Sequence, residues 1–386
     1  ARMGTPMVVE VTGAMGILSA KNWTETGVFV PIEGLGMAAQ TSRTIGREHC
    51  YDCPVGCSQM KMAKEMPYAG ILSEGPEFET IYSFGSNVGV ANLDAVIAAD
   101  RLADELGLDS ISAGVTIGFA MELYERGILT KADTGGMELK FGNDSAMMTL
   151  LRLMAFREGI GAILADGTKV ASERIGKGTD RFAMHIKGLE LPAYDVRGAK
   201  AHGLNYATSY TGADHNRGYA FQEIFGIPVP YEVDRFAIEG KGRLTKWNQD
   251  IRCVTCDCAP MCAFLLDTAM PATATQNTAD LMEAITGLSF TADSVYRVGE
   301  RVNNLARAFN CREGFTRKDD AFPERLMTEP LKEGPSKGQL ISREDLDRML
   351  DEYYSERGWD IKTGTPTRKK LEELGLGYVA DDIGAR

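Results

Sequence analysis

The sequence has few histidines, no excess of positive charge and no long apolar run. Only 4 of its 386 residues are His, and the formal net charge at pH 7 is -12. Nucleic acids and anionic membranes are bound through basic surfaces, so this charge argues against both as the main partner. No apolar stretch approaches the roughly 20 residues that span a bilayer, and the first residues show no charged-then-apolar leader. We therefore expect a cytoplasmic protein that is not attached to a membrane.

Length and composition indicate a folded chain with more than one core. A chain of 386 residues is too long for one ordinary domain, and 44% apolar with 25% charged residues is a globular composition. No repeat of fixed period and no low-complexity tract is present. The chain begins without Met and opens on an apolar run, which suggests that an upstream part is missing.

The pattern of apolar residues predicts a mainly α protein. Apolar positions at helical spacing predict a helix over residues 93–106, with Asn92 as its cap and Gly107 as its end. Ser342 and Asp345 predict the start of a later helix, and Thr365 or Thr367 predicts the start of a short last one. Residues 6–11 alternate weakly and predict a short strand or an extended arm near the N-terminus. We expect two helical domains, residues 1–188 and 189–386, because the composition changes to that of a loop around residues 185–192.

Three of the eight cysteines lie close together, at Cys50, Cys53 and Cys57. A C-x2-C-x3-C run can direct three sulfurs to one point, and soft thiolates suit iron–sulfur clusters or zinc. Pro54 and Gly56 favour the turn-rich backbone that this requires. The alternatives are disulfides, which a cytosolic chain of this size does not need, and a strained loop with buried thiols.

A second group of cysteines follows about 200 residues later, at Cys253, Cys256, Cys258 and Cys262. The spacing does not decide which of them completes the first group. A separate zinc site made from all four is the rival interpretation, because it has enough sulfur for a closed tetrahedron. We favour a shared cluster, since the first group is one ligand short of the usual four.

Several segments resemble the aldehyde ferredoxin oxidoreductase family, in the same order along nearly the whole chain. They are residues 50–57, 75–80 (GPEFET), 106–112 (LGLDSIS), 191–198 (LPAYDVRG), 312–317 (REGFTR) with 323–325 (PER), and 357–360 (RGWD). The resemblance implies the two helical domains of an enzyme that holds tungsten, or less often molybdenum, between two pterins beside one 4Fe–4S cluster. The family's N-terminal β domain is not in this sequence.

The resemblance also implies which residues hold the cluster. The implied ligands are Cys50, Cys53, Cys57 and Cys262. The family's fourth ligand ends an Asp-x-x-Gly-Leu-Cys motif, which Asp257 to Cys262 matches at both ends. Pro260 and Met261 stand where the motif has Gly and Leu.

Three further residues resemble cofactor contacts. Asp109 and Asp257 match the positions whose carboxylates accept hydrogen bonds from a pterin amine, although Ser112 stands where the family usually has Gly. Asp109 could instead be a plain helix cap. Arg197 lies in a segment that the family places beside the pterin, and we predict a cofactor contact there.

The predicted catalytic residues are His215, Glu77 and Glu79. His215 resembles the family's active-site histidine, and an imidazole can move a proton near neutral pH. From its charged neighbours alone, it would be assigned to the surface. Glu77 and Glu79 resemble the family's acidic pair, and the alternative is that both are solvated carboxylates at the start of a helix.

The function that the resemblance implies is oxidation of an aldehyde to a carboxylic acid, with electrons leaving through the cluster to ferredoxin or another low-potential carrier. We also allow for a homodimer. The alternative is a non-catalytic iron–sulfur or zinc protein, either an electron carrier or a structural protein, that lacks the pterin-binding domain.

Overall fold

A computed structural model describes residues 3–25 and 32–385 of the chain. Contacts divide the chain into two compact units, which are Ala1–Gly198 with Pro323–Leu340, and Ala199–Phe322 with Ile341–Arg386. The division thus falls ten residues later than the predicted boundary at 188/189, and one later segment returns to the first unit. The reason is local packing. Buried Arg197 donates a hydrogen bond to the carbonyl of Glu329 (2.8 Å), which ties these two parts of the first unit together.

The chain is mainly α, as predicted, with 54% of residues in helices against 6% in strands. The α-helices of the first unit before the crossover are α1 (Val8–Met15), α2 (Met37–Arg43), α3 (Phe78–Phe84), α4 (Leu93–Leu106), α5 (Ser110–Glu125), α6 (Asp144–Phe156), α7 (Gly161–Leu164) and α8 (Gly167–Ile175). The second unit contributes α9 (Lys200–Thr208), α10 (Phe221–Phe225), α11 (Lys241–Arg252), α12 (Ala274–Thr286) and α13 (Ala292–Arg312). Then α14 (Glu324–Thr328) lies in the first unit, and α15 (Arg343–Arg357), α16 (Arg368–Glu373) and α17 (Gly377–Asp382) lie in the second.

The strands are short and lie in the first unit. They are β1 (Thr44–Glu48), β2 (Ser58–Met62), β3 (Leu72–Glu74), β4 (His185–Ile186) and β5 (Leu189–Glu190). β1, β2 and β3 form an antiparallel sheet in that order, and β4 pairs with β5. Short strands towards the N-terminus are therefore confirmed. β1 follows α2 directly, and its backbone pairs with β2.

The strand predicted over residues 6–11 is wrong. A 3-10 turn (Thr5–Met7) leads into α1, and Gly16 ends that helix in the left-handed conformation. Val8, Val9 and Thr12 are buried, and the Thr12 hydroxyl donates to the carbonyl of Val8 (2.7 Å). Burial of one helical face outweighs the strand preference of β-branched residues.

The core of the first unit is built on α3, α4 and α5. Asn92 caps α4 by accepting a hydrogen bond from the amide of Asp94 (3.1 Å), and Gly107 ends the helix, as predicted. α5 is buried continuously from Ala113 to Leu123. None of the described helices is by itself long and apolar enough to cross a membrane; α4 and α5, which meet at a 116° bend, pass that test of length and composition only when taken together.

In the second unit, α11 packs against α9, α13 and α15. Gly299 of α13 permits the close approach, because a Cβ there would lie 2.0 Å from the carbonyl oxygen of Asp250 on α11. Arg357 of α15 forms a fully buried ion pair with Asp250. Ser342 caps α15 in a capping box with Asp345, as predicted, whereas the helix predicted to be the last one is followed by α17.

Candidate functional site

The three cysteines of the first group lie on one hairpin loop. β1 pairs with β2 so that Glu48 lies opposite Ser58, and residues 49–57 form the loop between the two strands. Cys50, Cys53 and Cys57 are therefore confined to nine consecutive residues whose ends are fixed by strand pairing. We call this segment, residues 49–57, the cysteine hairpin.

Arg47 holds the cysteine hairpin from the end of β1. Its guanidinium donates hydrogen bonds to the carbonyl oxygens of Val55 (2.6 Å) and Gly56 (2.8 Å). Gly56 has a φ of +54°, and a Cβ there would lie 2.4 Å from the His49 ring, so only glycine fits. The amide of Val55 donates to the sulfur of Cys53 (3.4 Å). The loop is thus shaped by charge-assisted bonds to its backbone.

The thiols of the cysteine hairpin are free of disulfides. Cys50 is exposed, and Cys53 and Cys57 are half-buried, so a loop of buried thiols is not what forms. Thiol donors with an N–H···S hydrogen bond suit an iron–sulfur cluster. Within residues 3–25 and 32–385, however, no group of three or more His, Cys, Asp or Glu side chains is arranged to hold a metal ion. The donor chemistry therefore fits a cluster, while the thiols are not gathered around one point.

Glu77 and Glu79 are held by groups from distant segments of the first unit. Glu77, at the start of α3, accepts a hydrogen bond from the hydroxyl of Thr5, and that same hydroxyl accepts one from the amide of Phe78 (2.9 Å). Glu79 accepts from the amide of Ala193 (2.8 Å). Both carboxylates are half-buried. Both side chains are therefore held in position by the protein. The alternative interpretation, that they are freely solvated carboxylates, does not describe them.

A buried lysine near Glu77 was not found by sequence reasoning. Lys61 on β2 is fully buried, and its ammonium has no hydrogen-bond partner within the described part of the chain. Burial lowers the pKa of Lys61 to about 8, and Glu77 and Asp100 oppose that effect. Burial also raises the pKa of Asp100 to about 7, although the Ser73 hydroxyl donates to its carboxyl group (2.6 Å). The alternation of side chains along a strand could have indicated this buried lysine, because Lys61 occupies an inward-facing position of β2.

Asp109 and Arg197 both serve the fold of the first unit. Asp109 caps α5 by accepting a hydrogen bond from the amide of Ser112 (2.8 Å), as the cap interpretation expects. The Arg197 guanidinium lies 2.5 Å from a carboxylate oxygen of Asp195 and donates to the carbonyl of Trp23 (3.3 Å). The pterin contacts suggested for both residues stay predictions.

In the second unit, Arg217 brings two predicted site residues into one assembly. His215 lies on a 3-10 turn (His215–Arg217), and Asp257 lies on a π-helical turn (Cys253–Cys258). The Arg217 guanidinium contacts Asp214 (3.0 Å) on one side and Asp257 (2.8 Å) on the other. The turn that carries His215 is therefore fixed beside Asp257.

The ring of His215 lies beside that of Tyr219. It is half-buried, and its ring centroid is 6.1 Å from that of Tyr219. Burial lowers the pKa of His215 to about 4, against the opposing effect of Asp214, so the ring is neutral at pH 7. The ring is therefore partly covered by the protein and not fully solvated.

The ring of a second histidine also contacts Tyr219. His202, within the fully buried α9, has its ring centroid 4.9 Å from that of Tyr219, and its Nδ1 accepts from the amide of Ala220 (3.3 Å). Burial lowers the pKa of His202 well below its usual value. Sequence reasoning missed it because no motif surrounds it.

Like the first group, the second group of cysteines is not arranged to hold a metal ion within the part of the chain that the structure describes. Cys253 is buried, and burial raises the pKa of its thiol. Its thiol and that of Cys258 are hydrogen-bonded, and Arg252 donates to the sulfur of Cys256 (3.7 Å). Cys262 is exposed and follows the π-helical turn. It lies in the second unit, and the cysteine hairpin lies in the first.

Comparison with known proteins establishes the class. A family model described as aldehyde ferredoxin oxidoreductase, domains 2 and 3, matches residues 1–376. The chain therefore belongs to the aldehyde ferredoxin oxidoreductase family. It is 37% identical over 382 residues to the tungsten-containing aldehyde ferredoxin oxidoreductase of Pyrococcus abyssi and 36% identical over 380 residues to that of Thermococcus kodakarensis. Both alignments cover 97% of this chain and 60% of the relative, so the chain spans about three fifths of its relatives' length.

Two other similarities are more distant. The chain is 34% identical over 345 residues to an aliphatic sulfonate oxidoreductase, WOR-like subunit, of Pyrococcus furiosus, covering 86% of this chain and 51% of that protein. A solved structure, the active site complex BamBC of benzoyl coenzyme A reductase in complex with 1,5 dienoyl-CoA, superposes with a TM-score of 0.76 at 24% identity. The superposition covers 98% of this chain and 61% of the chain in the solved structure. At 24% identity, the similarity shows the fold alone.

Proposed function

We propose that the chain belongs to an oxidoreductase that oxidises an aldehyde to a carboxylic acid. In this proposal two pterins hold tungsten or molybdenum, and electrons pass through one 4Fe–4S cluster to ferredoxin or a similar carrier in the cytoplasm. The observation that carries it is the placement of Cys50, Cys53 and Cys57 on one hairpin, in a chain that matches the family over residues 1–376.

Four cysteines would hold the cluster, namely Cys50, Cys53, Cys57 and Cys262. When bound, the metal–pterin centre supplies the two-electron oxidation and the cluster supplies one-electron transfer. Asp257 would accept hydrogen bonds from a pterin amine. A nitrogen of the Arg217 guanidinium lies 2.8 Å from an oxygen of this carboxylate and fixes its orientation. Asp109 and Arg197 are proposed as further cofactor contacts.

His215 would handle the proton of the reaction. Its neutral ring can accept a proton at pH 7, as oxidation of a hydrated aldehyde requires. Glu77 and Glu79 are proposed as the acidic groups on the substrate side. Their hydrogen bonds to Thr5 and Ala193 would hold them in place.

A second candidate is a non-catalytic iron–sulfur or zinc protein. The observation that favours it is that Cys50, Cys53 and Cys57 lie on one hairpin, where soft thiolates can serve an iron–sulfur cluster or zinc without any pterin. Metal analysis of the purified protein separates the two. Tungsten or molybdenum with pterin supports the enzyme, iron and sulfide alone support an electron carrier, and zinc alone contradicts both cluster assignments.

A pair of cysteine substitutions tests the ligand assignment. We expect Cys262→Ala to lose iron, sulfide and aldehyde-dependent dye reduction. Cys311→Ala is the matched control, because Cys311 is a half-buried thiol on α13 outside the proposed ligand set. Equal loss or equal retention of iron in the two variants would refute the assignment of Cys262.

A further inference from the structure

The buried face of the three-stranded sheet in the first unit carries polar side chains. Gln59 and Lys61 on β2 and Ser73 on β3 are all buried. The buried face of an antiparallel sheet is ordinarily apolar, because a polar group removed from water costs free energy unless it is hydrogen-bonded. Polar side chains gathered on one buried face therefore point to a role beyond packing.

Lys61 lies beside a hydrogen-bonded pair, Ser73 and Asp100. It stands directly opposite Ser73 in the pairing of β2 with β3, and directly opposed side chains lie on the same face of a sheet. The Ser73 hydroxyl donates to Oδ2 of Asp100 (2.6 Å) on α4, which packs against β3. The hydroxyl oxygen keeps lone pairs that can accept a hydrogen bond from an ammonium. Ser73 therefore neighbours both ionisable side chains.

The segment that carries Glu77 borders the same place. A Cβ on Gly75 would lie 2.9 Å from Oδ2 of Asp100 and 3.3 Å from the amide nitrogen of Glu77. The carboxyl group of Asp100 and the backbone of Glu77 thus meet beside Gly75. Burial lowers the pKa of Lys61 to about 8, and the carboxylates of Glu77 and Asp100 are near enough to oppose that shift.

The side chain of Lys61 is suited to moving a proton between its neighbours. Its ammonium makes no hydrogen bond within residues 3–25 and 32–385, so no single partner holds it in place. The four-carbon stem is flexible and lets the amine reach groups on either side. With a pKa of about 8, Lys61 also gains and loses a proton readily near neutral pH.

Asp100 lies where this buried group approaches the surface. It is 7% exposed, and Asp104, one turn further along α4, is exposed. Burial raises the pKa of Asp100 to about 7, so its carboxyl group both accepts and releases a proton at neutral pH. A proton on Asp100 is therefore close to the solvent.

The other charges of the neighbouring elements are paired or face the solvent in the described part of the chain. On α4, Asp94 pairs with Arg43 (3.0 Å), and Arg101 pairs with Glu105 (2.8 Å). On β3, Glu74 is exposed, on the face opposite to that of its buried neighbour. They leave the protons of the buried face to its own ionisable groups.

We propose that a proton route leads from Glu77 to the solvent at the surface of α4. Its members are Lys61, Ser73 and Asp100, in that order. The inference rests on the proposed function, because oxidation of an aldehyde and water to a carboxylic acid releases two protons with the two electrons. His215 accepts one proton and Glu77 the other. The amine of Lys61 takes this proton, its ammonium protonates the Ser73 hydroxyl as that hydroxyl passes its own proton to Asp100, and Asp100 releases a proton to water.

The titration of Lys61 can be followed without turnover, by NMR of the holoprotein labelled with carbon-13 at lysine. Lys61→Met identifies the signal and should fold, because an apolar side chain replaces a buried charge. We expect a midpoint of about 8 in the unmodified protein and a lower one in Asp100→Asn, which lacks the carboxylate that favours the ammonium. Glu74→Gln is the matched control, because Glu74 is the exposed neighbour of Ser73 on β3. An unchanged midpoint in Asp100→Asn, or an equal shift in the control, would overturn the inference.

Chemical rescue tests the route during turnover. For the loaded enzyme, Asp100→Asn should lower kcat for aldehyde oxidation roughly a hundredfold with KM retained, because a proton-transfer group is lost and the substrate is not contacted. Added formate should restore part of kcat in Asp100→Asn, since a small carboxylate can receive the proton at the surface of α4. A variant that only disturbs packing would not respond to formate. Full kcat in Asp100→Asn, or a loss that formate does not restore, would overturn the route.

These measurements separate the inference from the proposed function. Oxidation of aldehydes with full kcat in Asp100→Asn would reject the proton route and keep the proposed function. If the unmodified protein oxidises no aldehyde while the midpoint of Lys61 still falls in Asp100→Asn, the proposed function is rejected. Lys61 and Asp100 then remain a coupled buried pair.

Discussion

The guanidinium of Arg217 lies 2.8 Å from the carboxylate of Asp257, and this contact joins the turn of His215 to the π-helical turn Cys253–Cys258. The same guanidinium contacts Asp214 and donates to the hydroxyl of Tyr210 (2.7 Å). One arginine therefore fixes the proposed proton acceptor and the proposed pterin contact relative to each other. Its geometry matters as well as its charge, because three separate groups use its nitrogen atoms.

Arg217→Ala should lower the free energy of unfolding by about 1 kcal/mol, since a partly exposed network of charged hydrogen bonds is lost. Urea unfolding measures this. Arg348→Ala is the control, because Arg348 and Glu239 form an exposed pair (2.8 Å), and exposed pairs contribute little to stability. Amide exchange in residues 253–258 should rise only in Arg217→Ala, and equal exchange in both variants would show that Arg217 does not fix that turn.

Arg47→Met should weaken retention of iron by the cysteine hairpin. The substitution removes all three hydrogen bonds to the carbonyls of Val55 and Gly56 while keeping an apolar stem of similar length. Loss of a group that orients metal ligands typically costs about tenfold in metal affinity. Iron remaining after incubation with a chelator is the measurement. The matched control is Lys64→Met, an exposed cation just beyond β2, and the same iron loss in both variants would rule out a role for Arg47.

The parts of the fold set by local signals could be predicted. Asn92 and Gly107 bound α4 because a side-chain cap and a left-handed glycine act within one turn of the helix. Ser342 with Asp345 started α15 for the same reason. The N-terminal valines failed as a strand signal, since burial against distant residues decided their conformation.

The candidate site could be predicted from sequence only where the spacing of residues indicates a type of site, as it does for the cysteines. The interval between Cys50 and Cys57 indicated one turn-rich loop, but strand pairing closes that loop, and the partner strand had no local signal. His202 and Lys61 were missed because neither lies in a recognisable motif, and both take their properties from burial in the folded protein. Arg217 was missed as the link to Asp257 because the two are 40 residues apart.

Asp100→Asn should change how stability depends on pH. The pKa of Asp100 is raised to about 7 in the folded protein from an ordinary value near 3.8, so between these values the folded state holds the proton more tightly. This contribution is fully present below pH 4 and is lost as pH rises through 7. Removing it should make the free energy of unfolding rise more steeply between pH 4 and 7, by roughly 2 to 4 kcal/mol in total.

Urea unfolding of the Asp100→Asn protein at several pH values gives that slope. The control is Asp381→Asn, because Asp381 forms a surface ion pair with Arg368 (2.8 Å) and is exposed. We expect this control to follow the unmodified protein across the range. If the stability of Asp100→Asn showed the same pH dependence as that of the unmodified protein, the Asp100 carboxyl group would not be protonated in the folded state.

His215→Gln should change the pH dependence of the free energy of unfolding over a similar pH range, in the direction opposite to that of Asp100→Asn. With a folded pKa of about 4 against an ordinary 6.5, the unfolded state binds the proton more readily between these values. Stability from the neutral ring is therefore complete above pH 6.5 and is lost as pH falls towards 4, and the substitution should remove roughly 2 kcal/mol of that dependence. In protein labelled with nitrogen-15 at histidine, the ring signals missing from His215→Gln identify His215. We expect them to keep neutral-ring shifts down to about pH 5, whereas a midpoint near 6.5 would contradict a neutral proton acceptor held by burial.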